Sequence, residues 1–137
     1  SDSSAASDVY KRQDIELTAT KTAEVISKHM SLSEEKTGEI SMAIIESCIN
    51  AFEHSKTKEI YIHFIVSDDK LTVKVIDHGK GFDKSKVEIP NIENKLKSER
   101  KRGWGLQLVA ELMDTVEYDS DESGTTVTMT KKKEGNE

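Results

Sequence analysis

The residues with the clearest chemical potential are Glu46 and Asn50, which stand at positions i and i+4, with Glu53 at i+7. Apolar residues around them recur at helical spacing, so all three side chains are expected on one polar face of a helix. An amide oxygen suits Mg²⁺, which prefers oxygen ligands and keeps several waters beside nucleotide phosphates. A neighbouring carboxylate can accept a proton from an attacking hydroxyl or water. Taken alone, such a stripe is usually just the solvated side of a helix.

A second group of candidates could recognise a nucleotide base. Asp77 ends a strand-like stretch and is followed closely by Gly79 and Gly81. A strand-end aspartate can accept a hydrogen bond from an adenine amino group, and glycines let the backbone come close to a flat ring. Thr125 begins a later strand, where its hydroxyl could bind adenine or a water beside Asp77. The alternative for each segment is an ordinary turn.

A third group suits phosphate. Gly103 and Gly105 precede a helical pattern, and Lys101 and Arg102 lie just before them. A helix N-terminus presents free N–H groups and the positive end of a dipole, and glycine removes side chains that would block an approaching phosphate. The two cations could neutralise a terminal phosphate. A lone Gly-x-Gly is weak support, and the charge run before it is usually solvated loop.

Composition restricts the class of protein. The 137 residues fit one domain, and 20 basic against 26 acidic residues give a net charge of −6, which argues against direct nucleic-acid binding as the main function. Cys48 is the single cysteine, so an internal disulfide is excluded and a buried thiol in a reducing compartment is expected. No apolar run approaches the roughly 20 residues of a membrane span. We therefore expect a cytoplasmic protein without a membrane partner.

The first half of the chain is expected to contain one strand and two helices. Asp14–Thr18 alternates and predicts a short strand, and Thr20–Met30 has helical spacing. Ser31 with Glu34 three residues later predicts a capping box, from which a long amphipathic helix runs to about His54. Residues 1–12 are expected to be a disordered leader, residues 13–132 the domain, and residues 133–137 a charged tail, with fraying from position 131 onwards.

The second half is expected to contain two antiparallel hairpins separated by helices. The resulting order, β, α, α, β, β, α, β, β, predicts an α+β fold, a two-layer sandwich with helices on one face of a mixed, mainly antiparallel sheet. The elements counted in this order are strands at Glu59–Ser67 and Lys70–Ile76, a helix from Trp104, and strands at Val116–Tyr118 and Thr125–Thr130. Between the hairpins, Asn91–Lys97 is a candidate for a further short helix, and Ser98–Arg102 is predicted to be a loop.

The four blocks, in this order, resemble the N, G1, G2 and G3 boxes of the GHKL ATPase superfamily, which includes gyrase-type ATPases and histidine kinases. The short length, the spacing of Glu46, Asn50 and His54, and the run from Gly103 to Val127 are most similar to the anti-sigma-factor serine kinases of the RsbW and SpoIIAB type. The likeness covers roughly residues 15–132.

This resemblance implies a Bergerat ATP-binding fold that uses Mg-ATP to phosphorylate a serine or threonine of a STAS-domain anti-anti-sigma protein. It also implies sequestration of a sigma factor, with a homodimer as the working form. By the same resemblance the site residues receive roles: Glu46 as general base, Asn50 as Mg²⁺ ligand, Asp77 on adenine, Gly79 and Gly81 in the turn beside the ring, Lys101 or Arg102 with Gly103 and Gly105 on the phosphates, and Thr125 closing the adenine side.

Two other functions stay open on the sequence. The first is an ATP-binding interaction module without kinase activity, in which the nucleotide sets affinity for a partner. The second is the ATP-binding domain of a histidine kinase, which is less favoured because no helical hairpin carrying a phospho-acceptor histidine precedes Thr20. A gyrase-like ATPase is weaker still, since the chain has no room for a transducer domain.

Overall fold

A computed structural model describes residues 2–54, 59–78 and 102–134. None of the helices in these ranges combines the length and apolar character needed to cross a bilayer. The three ranges contain three helices and four strands: α1 (Asp2–His29), α2 (Glu34–His54), β1 (Ile60–Val66), β2 (Lys70–Asp77), α3 (Arg102–Leu112), β3 (Thr115–Asp121) and β4 (Gly124–Lys132).

The strands form one sheet in the order β1-β2-β4-β3, and every neighbouring pair is antiparallel. Both predicted hairpins are confirmed, as is the α+β class with helices on one face. The described sheet is wholly antiparallel rather than mixed. Alternation along β2 turns Leu71, Val73 and Val75 toward the helices, where all three are buried.

Helix α2 lies at the centre of the core. Its apolar stripe includes Ile40, Ile44 and Cys48, each fully buried, and Ser47 contacts the Sδ atom of Met129 at 3.2 Å on β4. Burial, with a smaller contribution from the charge of Glu16, raises the pKa of the Cys48 thiol to about 12. The expectation of a buried thiol is therefore confirmed. Burial of an isoleucine side chain such as that of Ile40 or Ile44 stabilises the fold by about 1.5–3 kcal/mol.

The predicted strand at Asp14–Thr18 is wrong, because the segment is part of helix α1. Its five-residue alternation also fits a helix: Ile15, Ala19 and Ala23 recur every four residues, and the two alanines are buried. Leu17, which a strand would place beside Ile15 on one face, is 57% exposed. Helix α1 begins at Asp2, within the segment expected to be a leader, and no glycine or proline interrupts residues 2–29.

The start of α2 also differs from the predicted capping box. Ser33, not Ser31, caps the helix, because its Oγ atom accepts a hydrogen bond from the Lys36 amide at 3.1 Å. Ser31 instead closes α1 in the left-handed region, with φ of 62°. The Ser31 and Leu32 amides donate to carbonyls of the last turn of α1, the pattern of a Schellman motif. One short linker therefore ends one helix and begins the next.

The end of β4 is anchored where fraying was expected. Lys131 lies inside the strand, is 6% exposed, pairs with Glu39 Oε1 at 2.7 Å and donates to the Leu112 carbonyl. Lys36 of α2 also donates to the carbonyls of Lys132 and Lys133, at 3.0 and 2.6 Å. This cluster, called here the lysine anchor (Lys36, Glu39, Lys131), fastens α2 and the C-terminus of α3 to one end of the sheet.

Helix α3 begins at Arg102, two residues before the predicted start, so the last residue of the predicted loop at positions 98–102 is helical, and the others lie outside the described residues. Tyr118 of β3 donates a hydrogen bond to the Leu106 carbonyl at 3.3 Å and so ties the start of α3 to the sheet. Burial raises the pKa of Tyr118 to about 12. The predicted helix at positions 91–97 lies outside the described residues.

We expect Tyr118 to make stability depend on pH at alkaline values. Its pKa is raised from about 10 in the unfolded chain, so its contribution is complete below pH 10 and is lost as pH rises through 12. Urea unfolding of the parent and of Tyr118→Phe, measured across this pH range, tests the expectation. Cys48 also titrates in this range, but it is present in both proteins and does not affect the difference between them. The stability difference between them should shrink as pH rises; a constant difference would contradict the assignment.

Candidate functional site

Asp77 and Thr125 are brought together by the register of the sheet. They are direct partners in the β2–β4 pairing. Each continues the buried alternation of its strand, so both side chains face the helix layer, with exposures of 4% and 3%. A carboxylate and a hydroxyl side by side offer an acceptor and an adaptable donor or acceptor. This is the combination predicted for the adenine end of the site.

Gly124 makes this arrangement possible, and the sequence analysis gave it no role in the site. Its φ is +145°, and a Cβ atom there would lie 2.0 Å from the Asp77 carbonyl oxygen and 2.9 Å from the Cα atom of His78. Only glycine lets the start of β4 pass this close to the end of β2. The glycine before Thr125 was the available signal, although it also fits a simple hairpin turn.

Ser120 is a second residue that the sequence analysis missed. It is the β3 partner of Thr125, and their hydroxyl oxygens are 3.1 Å apart. On the far side, Asp77 pairs with Ile60 of β1. Ile60, Asp77, Thr125 and Ser120 therefore form one row across all four strands, called here the site row. No local motif marks Ser120, because its role follows only from long-range register.

Asn50 is buried in α2, with 8% exposure, and its Nδ2 atom has no hydrogen-bond partner. Glu46 is half-buried and Glu53 is exposed, so the three residues do not form the fully solvated stripe that was the alternative to a site on this face. The reason is that α1, α3 and the sheet all pack on α2. An unpaired buried amide costs about 1–3 kcal/mol, so Asn50 is a polar group suited to a ligand.

The contacts of α2 show which end of the sheet Asn50 approaches. Glu39 meets Lys131 and, two turns later, Ser47 meets Met129. The helix therefore runs from the C-terminal end of β4 toward its N-terminal end, and Asn50 lies nearly one turn beyond Ser47. This direction carries Asn50 toward the site row, with Glu46 one turn behind it.

The phosphate candidates are divided between described and undescribed residues. Gly103 and Gly105 lie in the first turn of α3, directly after Arg102. The first four N–H groups of a helix lack partners within the helix and favour an anion. Both glycines thus occupy the predicted kind of position. Gly79, Gly81 and Lys101 lie outside the described residues.

The sequence matches a known family over most of its length. The family model of the histidine kinase-like ATPase domain matches residues 12–131. The serine-protein kinase RsbW of Bacillus licheniformis is 36% identical over 114 residues, which are 77% of this chain and 71% of the relative. The protein of the same name from Bacillus cereus (strain Q1) is 33% identical over 113 residues, covering 77% of this chain and 70% of the relative.

Solved structures support the fold. The histidine kinase domain of the Erythrobacter litoralis EL346 blue-light activated histidine kinase has a TM-score of 0.54 and 19% identity, covering 72% of this chain and 45% of the other. The Acinetobacter baumannii histidine kinase AdeS has a TM-score of 0.52 and 17% identity, covering 72% and 48%. The match thus spans less than half of either solved chain.

A Gly124→Ala substitution tests the close approach at the site row. The left-handed φ and the clash with Asp77 should reduce the free energy of unfolding by about 1–3 kcal/mol. Gly38→Ala is the matched control: Gly38 lies within α2 with no atom within 4 Å of an added Cβ, so it should stabilise by about 0.5–1 kcal/mol. Chemical denaturation measures both. Equal tolerance of the two changes would contradict the steric role of Gly124.

Proposed function

The chain belongs to the histidine kinase-like ATPase domain family, and on this basis we propose that it is an ATP-dependent protein serine/threonine kinase of a partner-switching pathway. Its substrate would be a hydroxyl of a STAS-domain anti-anti-sigma-type protein, and it would also sequester a sigma factor or similar target. The observation that carries the proposal is the buried polar group formed by Asp77 and Thr125, toward which α2 carries the unpaired amide of Asn50.

Recognition of the base is assigned to the site row. The Asp77 carboxylate would accept a hydrogen bond from the adenine amino group, a donor that guanine lacks at the same position. Thr125 lies beside it and is oriented by the Ser120 hydroxyl at 3.1 Å. Since both residues are at least nine-tenths buried, a base that offered the carboxylate no hydrogen-bond donor would bind poorly.

The triphosphate is assigned to the start of α3 and to α2. The N–H groups around Gly103 and Gly105 would receive phosphate oxygens, and Lys101 or Arg102 would add positive charge. Asn50, which is buried in α2, would hold Mg²⁺ through its amide oxygen, the kind of ligand that this ion prefers. The metal, when bound, neutralises charge on the phosphates during transfer.

Proton removal is assigned to Glu46. It precedes Asn50 by four residues on the same helix, so base and metal ligand are held by one rigid element. Its side chain is half-buried, which leaves it accessible to a hydroxyl presented by a protein substrate. The carboxylate would accept the serine proton as the oxygen attacks the terminal phosphate. The serine specificity is supported by the similarity to RsbW proteins, which are described as serine-protein kinases.

An Asp77→Asn substitution tests base recognition. The amide presents a donor where an acceptor is required, so ATP affinity should fall about 10- to 100-fold, and the preference for ATP over GTP should decrease. Asp68→Asn, an exposed aspartate of the β1–β2 turn, is the control and should leave both affinities unchanged. Calorimetry with each nucleotide measures them. An unaltered preference in Asp77→Asn would remove this residue from the base site.

A Glu46→Gln substitution separates catalysis from binding. A general base should lose roughly two to four orders of magnitude in transfer rate while ATP affinity changes little. Glu53→Gln, an exposed carboxylate of the same helix, serves as control and should transfer at the parent rate. Single-turnover transfer of labelled phosphate to a STAS protein from the native host is the measurement.

The possible outcomes of this experiment are distinct. Transfer by Glu46→Gln at the parent rate would remove the general base. Loss of ATP binding would make Glu46 a structural residue or part of the metal environment. If the parent binds the STAS protein and ATP but transfers no label, the interaction-module function replaces the kinase.

A further inference from the structure

The first turn of α3, to which the phosphates are assigned, is weak as a piece of helix. Gly103 and Gly105 both lie in it, and glycine loses more conformational freedom on folding than any other residue. The turn has no acidic residue to complement the positive end of the helix dipole, and Arg102 adds a positive charge there. These features suit an incoming anion, but the turn needs support from outside the helix to keep its place.

Tyr118 of β3 supplies such support from the sheet. Its hydroxyl donates a hydrogen bond at 3.3 Å to the carbonyl of Leu106, the residue that directly follows Gly105. A carbonyl oxygen has two lone pairs, so it can accept from Tyr118 as well as from the helix amide four residues later. The Tyr118 ring packs against the core, so the donor is itself held in place.

The other end of α3 is fastened separately. The Lys131 ammonium donates to the Leu112 carbonyl, and just after the helix the Asp114 amide donates to the Thr130 carbonyl at 2.9 Å. Val109, in the second half of the helix, is fully buried. Removal of the Tyr118 hydroxyl should therefore leave the helix docked on the sheet and release only its start.

Tyr118 also lies near the base end of the candidate site. It precedes Ser120 by two residues, so both side chains face the helix layer, roughly 7 Å apart along β3. The Ser120 hydroxyl lies 3.1 Å from that of Thr125 in the site row. One strand therefore contacts the start of α3 with one side chain and the site row with another.

We propose that Tyr118 is a positioning residue for the triphosphate: its hydroxyl fixes the first turn of α3 relative to the site row, and so sets where phosphate oxygens meet the helix N–H groups. The inference rests on the proposed function, since it takes α3 as the phosphate site and the site row as the base site. Tyr118 acts through α3 and not by contact with the nucleotide. Because a short ribose joins the base to the phosphates, a displaced helix start can be reached only by straining one of the two contacts.

A Tyr118→Phe substitution tests the inference, because it removes the hydroxyl and keeps the ring. Affinity for ATP should fall about 3- to 10-fold, as expected for the loss of one hydrogen bond. Affinity for adenosine, which has the base and ribose but no phosphate, should be unchanged. Calorimetry with Mg²⁺ and each ligand measures both constants. The decisive quantity is the ratio of ATP to adenosine affinity, which a general loss of stability does not alter while the protein stays folded.

Two control variants separate the hydroxyl from packing. Tyr61→Phe makes the same change on β1, where the hydroxyl contacts Glu59 at 3.0 Å and the side chain is 44% exposed; both affinities should match those of the parent. Val116→Ala trims a half-buried side chain two residues before Tyr118 on the same face of β3. It should lower stability and leave the affinity ratio unchanged.

The outcomes distinguish this inference from the proposed function. A parent that binds ATP, with an unchanged affinity ratio in Tyr118→Phe, would overturn the positioning role and leave the function standing. A parent that binds neither ATP nor adenosine would overturn both. If Tyr118→Phe does not fold, hydrogen exchange of the nucleotide-free parent decides: the Leu106 and Gln107 amides should have protection factors within about tenfold of that of Val109. Lower protection would show that the turn frays despite Tyr118, which would also overturn the role.

Discussion

The pairing of β2 with β4 is the contact on which the rest of the molecule depends. It joins two hairpins that lie far apart in the sequence, and its register sets Asp77 against Thr125 and Val75 against Val127. The first pair belongs to the candidate site and the second to the core. The pairing can reach its end only because residue 124 is glycine, whose missing Cβ admits the Asp77 carbonyl. A shift of one residue would turn every buried side chain of one strand outward, so core and site are fixed together.

Buried polar groups are fully paired at one end of this sheet and partly unpaired toward the other. At the lysine anchor, Lys131 is buried but satisfied by Glu39 and by the Leu112 carbonyl, as burial of a charge requires. Toward the site row, Asn50 is buried with an unsatisfied amide nitrogen. The lysine anchor holds α2 in place. The free-energy cost of leaving the Asn50 amide nitrogen unpaired farther along the helix is therefore offset by interactions elsewhere in the fold.

The sequence predicted the parts of the fold that depend on local pattern. Both hairpins and the body of α2 show a strong period of two or of 3.6 residues, and each is confirmed. The error at residues 14–18 arose because five alternating residues do not distinguish the two periods, whereas Ile15, Ala19 and Ala23 together indicate a helix. The capping error had a similar cause: Ser31 and Ser33 both fit a helix start, and only the hydrogen bond to Lys36 distinguishes them.

The candidate site could be predicted in residue type but not in arrangement. Asp77 and Thr125 were recognisable as chemical groups, while their adjacency, the burial of Asn50 and the presence of Ser120 depend on tertiary packing. Local patterns also do not reveal the site row, because Ile60, Asp77, Thr125 and Ser120 lie on four different strands and become neighbours only through the strand register. Its first member, Ile60, lies on the edge strand β1, where the neighbouring Tyr61 ring meets the His78 ring edge-on, with centroids 5.3 Å apart. Because His78 directly follows Asp77, this ring contact holds the end of β2 against β1 beside the row that is assigned to the nucleotide base.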